Sequence, residues 1–305
     1  PVRVNELIPS GNREYILLIG TWQIQLDPEK IGEKEAWYLP EHSFNDQIVV
    51  PGNLEAQGKG LEYLPLAQPE WAGTCDRPWL GTSWYRKEFT VPKNFKNKNI
   101  NLNFGGVMTD CKVWLNGKYI GEHHYGNVPF GFVVNDYITP GSSNVLVVKV
   151  DNEQTYQDKT PPNSHGFGVT VMEMRWSGIF RDVELVGTGK TIIDDLYIIP
   201  DIETGKITCE YTLAGDVPKN LKLIAEVYPW KNDHVAGTAE RIIASKEGTL
   251  DVEIENPRLW FDHDPFLYVV SLRLVQKNKT VDEVNERFGL REITTDGHHI
   301  FLNGK

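Results

Sequence analysis

The feature that most constrains the fold is an Asn-Gly pair at residues 116–117, which stands between two extended stretches. Apolar residues alternate along residues 110–115, and residues 118–121 resume an extended pattern after the pair. Both central residues of a type I′ turn need positive φ, which Asn and Gly adopt more readily than other residues, so Asn-Gly is the strongest short-range hairpin signal. The sequence therefore predicts an antiparallel hairpin over residues 110–121.

The two-residue turn also predicts which residues face each other across the hairpin. With two residues in the loop, Trp114 should lie opposite Tyr119 and Val113 opposite Ile120. Alternation along the strand places Cys111 on the same apolar face as Val113. We expect Cys111 to act as a small buried hydrophobe.

Short strand-like runs continue on both sides of the hairpin, separated by Pro, Gly and Asn turn signals. They occupy residues 15–19, 20–24, 47–50, 84–91, 100–104, 130–134, 144–150 and 179–186. Strands at this spacing without intervening helices are typical of an antiparallel sandwich or jelly roll. Two irregular stretches, residues 54–82 and 153–174, interrupt the pattern, and such long loops inside a compact domain are usually functional or disordered.

A Gly-Thr-Gly-Lys sequence at residues 187–190 predicts a domain boundary. Alternating runs follow at residues 192–199, 207–213, 221–228, 249–254, 267–275 and 281–288. Their spacing is typical of one immunoglobulin-like sandwich of about 100 residues. The sequence therefore predicts an all-β chain, with a jelly-roll domain over residues 1–188 and an immunoglobulin-like β-sandwich over residues 189–293.

The composition excludes several classes of partner. A net charge of −11 opposes binding to nucleic acid or to an anionic membrane, and no run of eighteen apolar residues is present that would span a bilayer. The cysteines at 75, 111 and 209 are far apart and form no zinc-binding pattern. We expect no metal, no cofactor and no membrane span.

The compartment and the oligomeric state stay open at this level. Pro1 is not a natural start, which predicts that the N-terminus has been processed or trimmed. A periplasmic or secreted location is favoured over a cytoplasmic one.

A series of short motifs runs through both halves of the chain. They are Val-Pro-Gly at 50–52, Trp-Tyr-Arg-Lys at 84–87, Val-Trp-Leu-Asn-Gly at 113–117, Val-Lys-Val-Asp-Asn at 148–152, Ser-Gly-Ile-Phe-Arg-Asp-Val at 177–183, Asn-Pro-Arg-Leu-Trp at 256–260, Pro-Phe-Leu-Tyr at 265–268, Phe-Gly-Leu-Arg-Glu-Ile at 288–293 and Leu-Asn-Gly-Lys at 302–305. In this order they resemble the sequence of glycoside hydrolase family 2, the β-galactosidase and β-glucuronidase family. Each motif alone is short, but together they cover nearly the whole chain.

The resemblance implies a jelly-roll sugar-binding domain, an immunoglobulin-like domain and then a (β/α)₈ catalytic barrel, whose start would be residues 294–305. The chemistry of such enzymes resides on the barrel, where a retaining glycosidase holds two carboxyl groups about 5 Å apart. The resemblance therefore implies that this chain is the non-catalytic front of a retaining β-glycosidase and contains no catalytic residue. Its implied partners are its own catalytic barrel and a carbohydrate.

In members of the family, loops of the first domain reach over the barrel mouth and help to shape the sugar subsites. The segments with matching placement here are residues 71–78 and 165–176. They supply the candidate substrate-rim residues, which combine aromatic rings able to stack on sugars with polar groups able to bond hydroxyls: Trp71, Asp76, Arg77, His165, Glu173, Arg175 and Trp176. The alternative is that these tryptophans fill the sandwich core or the face against the barrel. The sequence also departs from the galactosidase pattern DMWRMSG at residues 173–176, so a galactosidase-type contact is not inferred.

Several other patterns imitate functional sites. Asn285-Glu286 is similar to the Asn-Glu pair that family 2 carries in its barrel, but it lies in an apparent strand without the surrounding tryptophan. The histidine pairs at 123–124 and 298–299 are adjacent residues that point to opposite faces of a strand, so we expect surface pairs and no metal site.

Two further hypotheses are a free-standing carbohydrate-binding module and an adhesion or scaffold protein made of two sandwiches.

Overall fold

The computed structural model describes residues 13–60, 79, 81–152 and 177–305. These residues divide into two units, one comprising Tyr15–Gly187 and the other Thr188–Lys305 together with Arg13 and Glu14. Both units are built from β-strands, and the only helices in the described part are two short 3₁₀ turns, Glu55–Gln57 and Lys93–Asn97. The predicted all-β sandwich fold is confirmed. No described helix is long and apolar enough to cross a membrane.

The first unit contains two large antiparallel sheets and one small sheet. Its strands are β1 (Glu14–Leu17), β2 (Gly20–Asp27), β3 (Asp46–Val50), β4 (Thr82–Thr90), β5 (Asn99–Phe104), β6 (Val107–Met108), β7 (Asp110–Leu115), β8 (Lys118–His123), β9 (Phe130–Val133), β10 (Ser143–Asp151), β11 (Gly178–Ile179) and β12 (Val183–Thr188). The sheet orders are β3-β2-β4-β10-β7-β8, β1-β12-β5-β9 and β11-β6. The main core draws buried side chains from both large sheets, among them Trp22, Tyr85, Phe104 and Leu185.

The six-stranded sheet is covered on both faces. Strand β10 lies at its centre, paired with β4 on one side and β7 on the other. Leu146 and Val148 point into the main core, whereas Val145 and Val147 join a second buried cluster that also contains Trp84. A strand that is buried on both faces has a continuous apolar sequence, which is why apolar and polar residues do not alternate along residues 144–150.

The Asn-Gly hairpin is present between β7 and β8. Asn116 and Gly117 have φ values of +53° and +77°, as a type I′ turn requires. Trp114 pairs with Tyr119, so this part of the predicted register is confirmed. Cys111 is buried in the main core, and burial raises the pKa of its thiol to about 12, which keeps it neutral.

The predicted pairing of Val113 with Ile120 is wrong. Val113 pairs with Gly121, because a bulge between Val113 and Trp114 in the ladder leaves Ile120 as an extra residue. A side chain could not replace Gly121 here, since a Cβ would lie 2.3 Å from the Phe132 ring of β9. The register beyond the turn thus changes where another strand packs closely against the hairpin, a contact that a turn signal cannot encode.

The second unit is a two-sheet sandwich with an added hairpin. Its strands are β13 (Thr191–Asp201), β14 (Lys206–Gly215), β15 (Leu221–Pro229), β16 (Gly237–Ile243), β17 (Glu247–Glu253), β18 (Tyr268–Gln276), β19 (Lys279–Phe288), β20 (Ile293–Asp296) and β21 (His299–Leu302). The sheets are β13-β14-β17, β16-β15-β18-β19 and β20-β21. Six of these strands match the predicted runs. Strand β16 was not predicted, because it is an edge strand with Ile243 as its one fully buried residue. The proposed domain limits of 188, 293 and 305 stay predictions.

Arg13 belongs to the second unit although it lies near the start of the chain. Its guanidinium is buried and makes a two-pronged contact with the Asp282 carboxylate, with distances of 2.9 Å from Nε and 2.8 Å from Nη2. It also donates to the Ile193 carbonyl, and the Ile193 amide donates to Asp282 at 2.7 Å. The bidentate geometry satisfies a buried charge that would otherwise be very unfavourable.

Candidate functional site

All seven candidate substrate-rim residues lie outside the described residues. Trp71, Asp76 and Arg77 fall in residues 61–78, and the remaining four, His165, Glu173, Arg175 and Trp176, fall in residues 153–176. The structure does describe the residues next to these two segments: Gly60 precedes the first, Asn152 precedes the second and Ser177 follows it, while Trp79 comes directly after the first. The candidate site is therefore built from these flanking residues.

Glu55 contacts the residue that follows the second segment. It opens a 3₁₀ turn that ends at Gly58, whose φ of +68° is the left-handed conformation that glycine adopts easily. Its buried carboxylate accepts a hydrogen bond from the Ser177 amide at 2.9 Å and another from the Ser177 hydroxyl at 2.8 Å. One side chain thus holds the residue at which the chain rejoins the described fold after the second segment.

Asn152 makes a second set of contacts, with the backbone of Trp79 and Gly81. Its side-chain amide donates to the Trp79 carbonyl at 2.8 Å and accepts from the Gly81 amide at 2.8 Å. Asn152 itself is the last described residue before the second segment. The residue that follows the first segment is therefore bonded to the residue that precedes the second.

The Ser-Gly pair at 177–178 fits only a small, flexible residue at its second position. Gly178 has a φ of +106°, and a Cβ there would lie 2.6 Å from the Tyr85 hydroxyl oxygen. Tyr85 is fully buried, and burial raises the pKa of its phenol, so the ring stays neutral. Within the motif at residues 177–183, Ser177 therefore donates hydrogen bonds to Glu55, and Gly178 leaves space for the Tyr85 hydroxyl.

The electrostatics of this cluster are those of a buried acid. Burial raises the pKa of the Glu55 carboxyl above its ordinary value, and the hydrogen bonds from Ser177 oppose that rise without cancelling it. A buried carboxylate is tolerated where several donors face it, which is the arrangement here. Both carboxylate oxygens of Glu55 accept hydrogen bonds from Ser177, so the role of this cluster is to hold the backbone in place.

A second polar group lies on the surface formed by strands β7, β8 and β10. Asp110, Lys112, Glu122, His124 and Lys149 line a shallow depression together with Cys111 and Asp151. His124 lies 3.6 Å from Asp110 and 3.4 Å from Glu122. Within the described residues, no group of His, Cys, Asp and Glu has the arrangement of a metal site.

The structure refines the predictions for the remaining patterns. His124 is exposed as predicted, but His123 is half-buried, with its ring stacked on Phe130 at a centroid distance of 4.0 Å. His123 is therefore not a surface residue, because the bulge in β8 turns its ring towards β9. Asn285 and Glu286 lie in strand β19 with opposite burial, Asn285 buried and Glu286 exposed.

Comparison with known proteins identifies the family. Residues 16–189 match the model described as glycosyl hydrolases family 2, sugar binding domain, and residues 191–291 match the model described as glycosyl hydrolases family 2. The chain belongs to glycosyl hydrolase family 2. The matched regions are the N-terminal, non-catalytic domains of family 2 enzymes.

Curated relatives carry two names. The chain is 33% identical over 230 residues to a β-galactosidase of Thermoanaerobacter pseudethanolicus, an alignment that covers 73% of this chain and 30% of the relative. It is 25% identical over 309 residues to a β-glucuronidase of Paenibacillus borealis, covering 96% of this chain and 48% of the relative. The chain thus spans less than half the length of these two family 2 enzymes.

Solved family 2 structures share the fold. The crystal structure of Ruminococcus gnavus β-glucuronidase superposes with a TM-score of 0.74 at 25% identity, covering 98% of this chain and 49% of that one. A structure of the same enzyme in complex with D-glucuronic acid has a TM-score of 0.73 at 24% identity and covers 97% and 50% of the two chains. These likenesses show the fold of the two described units.

Sequence reasoning did not single out Glu55, and it quoted Tyr85, Asn152 and Ser177 only as parts of family motifs. The available signal was their position, since Asn152 ends one motif and Ser177 begins the next, on either side of an irregular stretch. Their bonding partners are 73 and 122 residues away in sequence. Only the folded chain shows that the motifs on both sides of the irregular stretches meet.

Proposed function

We propose that this chain forms the sugar-binding and immunoglobulin-like portion of a retaining family 2 β-glycosidase and that its first unit helps to shape the carbohydrate site. The observation that carries the proposal is the contact of Asn152 with Trp79, together with the contact of Glu55 with Ser177. The first of these contacts brings together the flanks of both segments that hold the seven candidate rim residues. Within the proposal, tryptophans such as Trp71 and Trp176 stack on sugar rings, and Arg77 and Arg175 bond sugar hydroxyls.

The matching catalytic partner is proposed to be the enzyme's own barrel domain. The hairpin β20–β21 supports this idea within the second unit. Ile293, Ile300 and Leu302 lie on one face of the hairpin by register, and Ile293 and Ile300 are 63% and 76% exposed. A two-stranded ribbon is marginal by itself in water, so we propose that the remainder of the family 2 enzyme covers this face.

The proposal predicts that the 305-residue chain has no glycosidase activity of its own. Nitrophenyl β-galactoside, β-glucuronide and β-mannoside should show no turnover above buffer. Turnover that disappears in Glu286→Gln, but persists in the exposed control Glu210→Gln, would overturn the proposal, because it would place the catalysis in strand β19.

The rim residues are tested in the longer enzyme that contains this sequence. Arg175→Ala and Trp176→Ala should each raise KM for the preferred β-glycoside by roughly tenfold or more, the loss expected from one good polar or stacking contact. Tyr197→Ala, at an exposed position of β13, is the matched control and should leave KM unchanged. Unchanged KM values in both rim variants would remove the first unit from the carbohydrate site.

A free-standing carbohydrate-binding module is the second candidate, favoured by the sugar binding domain match over residues 16–189. Titration of the chain with galactose and glucuronate, followed by tryptophan fluorescence, separates the two. Saturable binding by the chain alone favours the module, whereas binding only in the longer enzyme favours the shared site.

A further inference from the structure

Strand β3 is the edge strand of the six-stranded sheet within the described residues, where it pairs with β2. Residues 47–50 read Gln-Ile-Val-Val, a sequence that favours extended backbone, and Pro51 follows. Ile48 and Val50 are buried, whereas Val49 is 52% exposed. An edge strand of this kind presents N–H and C=O groups with which another chain can pair, unless the protein covers them.

The Gln57 side chain covers these groups at Val49. Its amide oxygen accepts from the Val49 N–H at 2.7 Å, and its amide nitrogen donates to the Val49 carbonyl at 2.9 Å. These are the two hydrogen bonds that a residue of a neighbouring antiparallel strand would make. Because the backbone groups of successive residues point to opposite sides of a strand, Gln47 faces outward together with Val49.

The surroundings of Gln57 fix its amide in this position. A Cβ at Gly52 would lie 2.5 Å from Gln57 Nε2 and 2.9 Å from the Val49 carbonyl oxygen, so this position needs a glycine. The Gln57 amide nitrogen also donates to the Asn53 carbonyl at 3.3 Å. Its two N–H groups and its oxygen therefore all have backbone partners.

Asp46 and Lys59 cover the outward-facing amide of Gln47. This amide donates to Asp46 Oδ1 at 2.7 Å, and the Lys59 ammonium lies 2.6 Å from the same oxygen. The hydrogen bond from Lys59 holds the pKa of the Asp46 carboxyl below its ordinary value, so the group is ionised at neutral pH. Charged side chains on an edge strand oppose pairing with another chain.

We infer that Gln57 and the Asp46–Lys59 pair form an edge cap that prevents β3 from pairing with β3 of a second copy of this chain. Side chains that use up the outward-facing backbone groups leave a second copy nothing to bond. The edge cap therefore keeps a surface closed that would otherwise support self-association.

A second copy is the occupant because β3 is complementary to itself in antiparallel pairing. With a two-fold axis at Ile48, Val49 of one copy lies opposite Gln47 of the other, and the same pair recurs across the axis. Each pair exchanges two backbone hydrogen bonds, so the uncovered edges would form four. This contact is symmetric and joins two six-stranded sheets into one.

Sedimentation velocity of the 305-residue chain over a range of concentrations tests the edge cap. Gln57→Ala should raise the self-association constant by roughly tenfold or more over wild type, and Asp46→Ala/Gln57→Ala should raise it further. Salt at about 0.15 M reduces the repulsion between copies with a net charge of −11. Gln57→Met, which keeps most of the side-chain length, covers the case in which Gln57→Ala does not fold.

Asn135 provides a matched control in the same unit. Its side chain also bridges a backbone amide and a carbonyl, accepting from Ile100 at 2.9 Å and donating to Lys98 at 2.7 Å. These contacts lie at the start of β5, which has β12 on one side and β9 on the other, so their loss opens no edge. Asn135→Ala should leave the self-association constant within twofold of wild type.

Hydrogen exchange of assigned amides locates the contact. In dilute Asp46→Ala/Gln57→Ala, the amides of Gln47 and Val49 should exchange roughly tenfold or more faster than in wild type. Their protection should return at the concentrations at which the variant self-associates. The inference is overturned if the uncapped variants associate no more than wild type and Asn135→Ala, or if they associate while these two amides stay unprotected.

Discussion

Gly178→Ala should be among the most destabilising single-methyl additions in the first unit. The φ of +106° at this position is one that residues with a side chain rarely adopt, and holding such a residue there costs about 1–3 kcal/mol. The added Cβ would also lie 2.6 Å from the Tyr85 hydroxyl oxygen and 3.4 Å from the Gly52 carbonyl oxygen. Tyr85 is completely buried and cannot swing away, so overpacking adds about 1–3 kcal/mol. The expected loss is about 2–6 kcal/mol in the free energy of unfolding.

The two contributions can be separated within the same unit. Gly20 has a φ of +87°, but a Cβ there would meet nothing within 4 Å. Gly20→Ala therefore carries only the conformational cost, about 1–3 kcal/mol. Tyr85→Phe removes the oxygen that Gly178→Ala would strike, so the double variant should be less destabilised than the sum of the single variants by about 1 kcal/mol or more.

Urea unfolding followed by tryptophan fluorescence measures these differences, because Trp22, Trp79 and Trp84 are all buried in the first unit. The reasoning is refuted if Gly178→Ala costs no more than Gly20→Ala. It is also refuted if Tyr85→Phe and Gly178→Ala are simply additive, since the steric contact would then contribute nothing.

Three further predictions concern the face and turn of the six-stranded sheet. Gly117→Val should lower the free energy of unfolding by roughly 1–3 kcal/mol, because a β-branched residue is strained at positive φ; an unchanged urea midpoint would contradict the type I′ turn. Asp27→Ala should cost about 2–4 kcal/mol in the same assay, since its buried carboxylate accepts from the Trp84 indole and from two backbone amides; a loss below about 1 kcal/mol would show that these bonds are replaced. Burial would raise the pKa of Glu33, but Lys149 and Lys112 outweigh it and lower the pKa below its ordinary 4.5. A carboxyl whose pKa is lower in the folded than in the unfolded state contributes stability above the unfolded pKa, and this contribution is lost as pH falls through the folded pKa. The difference in stability between wild type and Glu33→Gln should therefore close below about pH 4.5. A difference that widens in acid would contradict the ion pair.

The conformational preferences of turn residues explain why the tight turns follow from the sequence. The tetrapeptide Leu-Asn-Gly-Lys occurs twice, at 115–118 and at 302–305. Asn303 and Gly304 have φ values of +51° and +73°, nearly those of the first pair. Leu302 and Lys305 exchange both backbone hydrogen bonds, at 3.0 and 3.1 Å. Because the preference of Asn-Gly for positive φ is a property of the two residues themselves, the same letters give the same turn in both units.

Strand existence was also largely predictable, whereas strand register was not. The alternation of apolar residues and the content of β-branched residues are local properties of the sequence, so they predict strands without tertiary information. The bulge at Ile120 was not predicted, because it lies beside Gly121, which packs closely against Phe132 of β9, and only the folded chain provides that contact. Strand β16 was missed for a related reason, since an edge strand needs few buried side chains and leaves a weak pattern.

The amino-acid sequence by itself determined the fold class, the type I′ turn at residues 116–117 and the family, since each depends on residues that are adjacent or on motifs in a fixed order. Only the tertiary structure decided that Arg13 joins the unit containing Asp282, 269 residues away. It also decided that Asn152 bonds Trp79 and that Glu55 bonds Ser177. A buried carboxylate needs donors wherever the fold can supply them, and nothing in the letters near Glu55 states that its donors come from a serine 122 residues later.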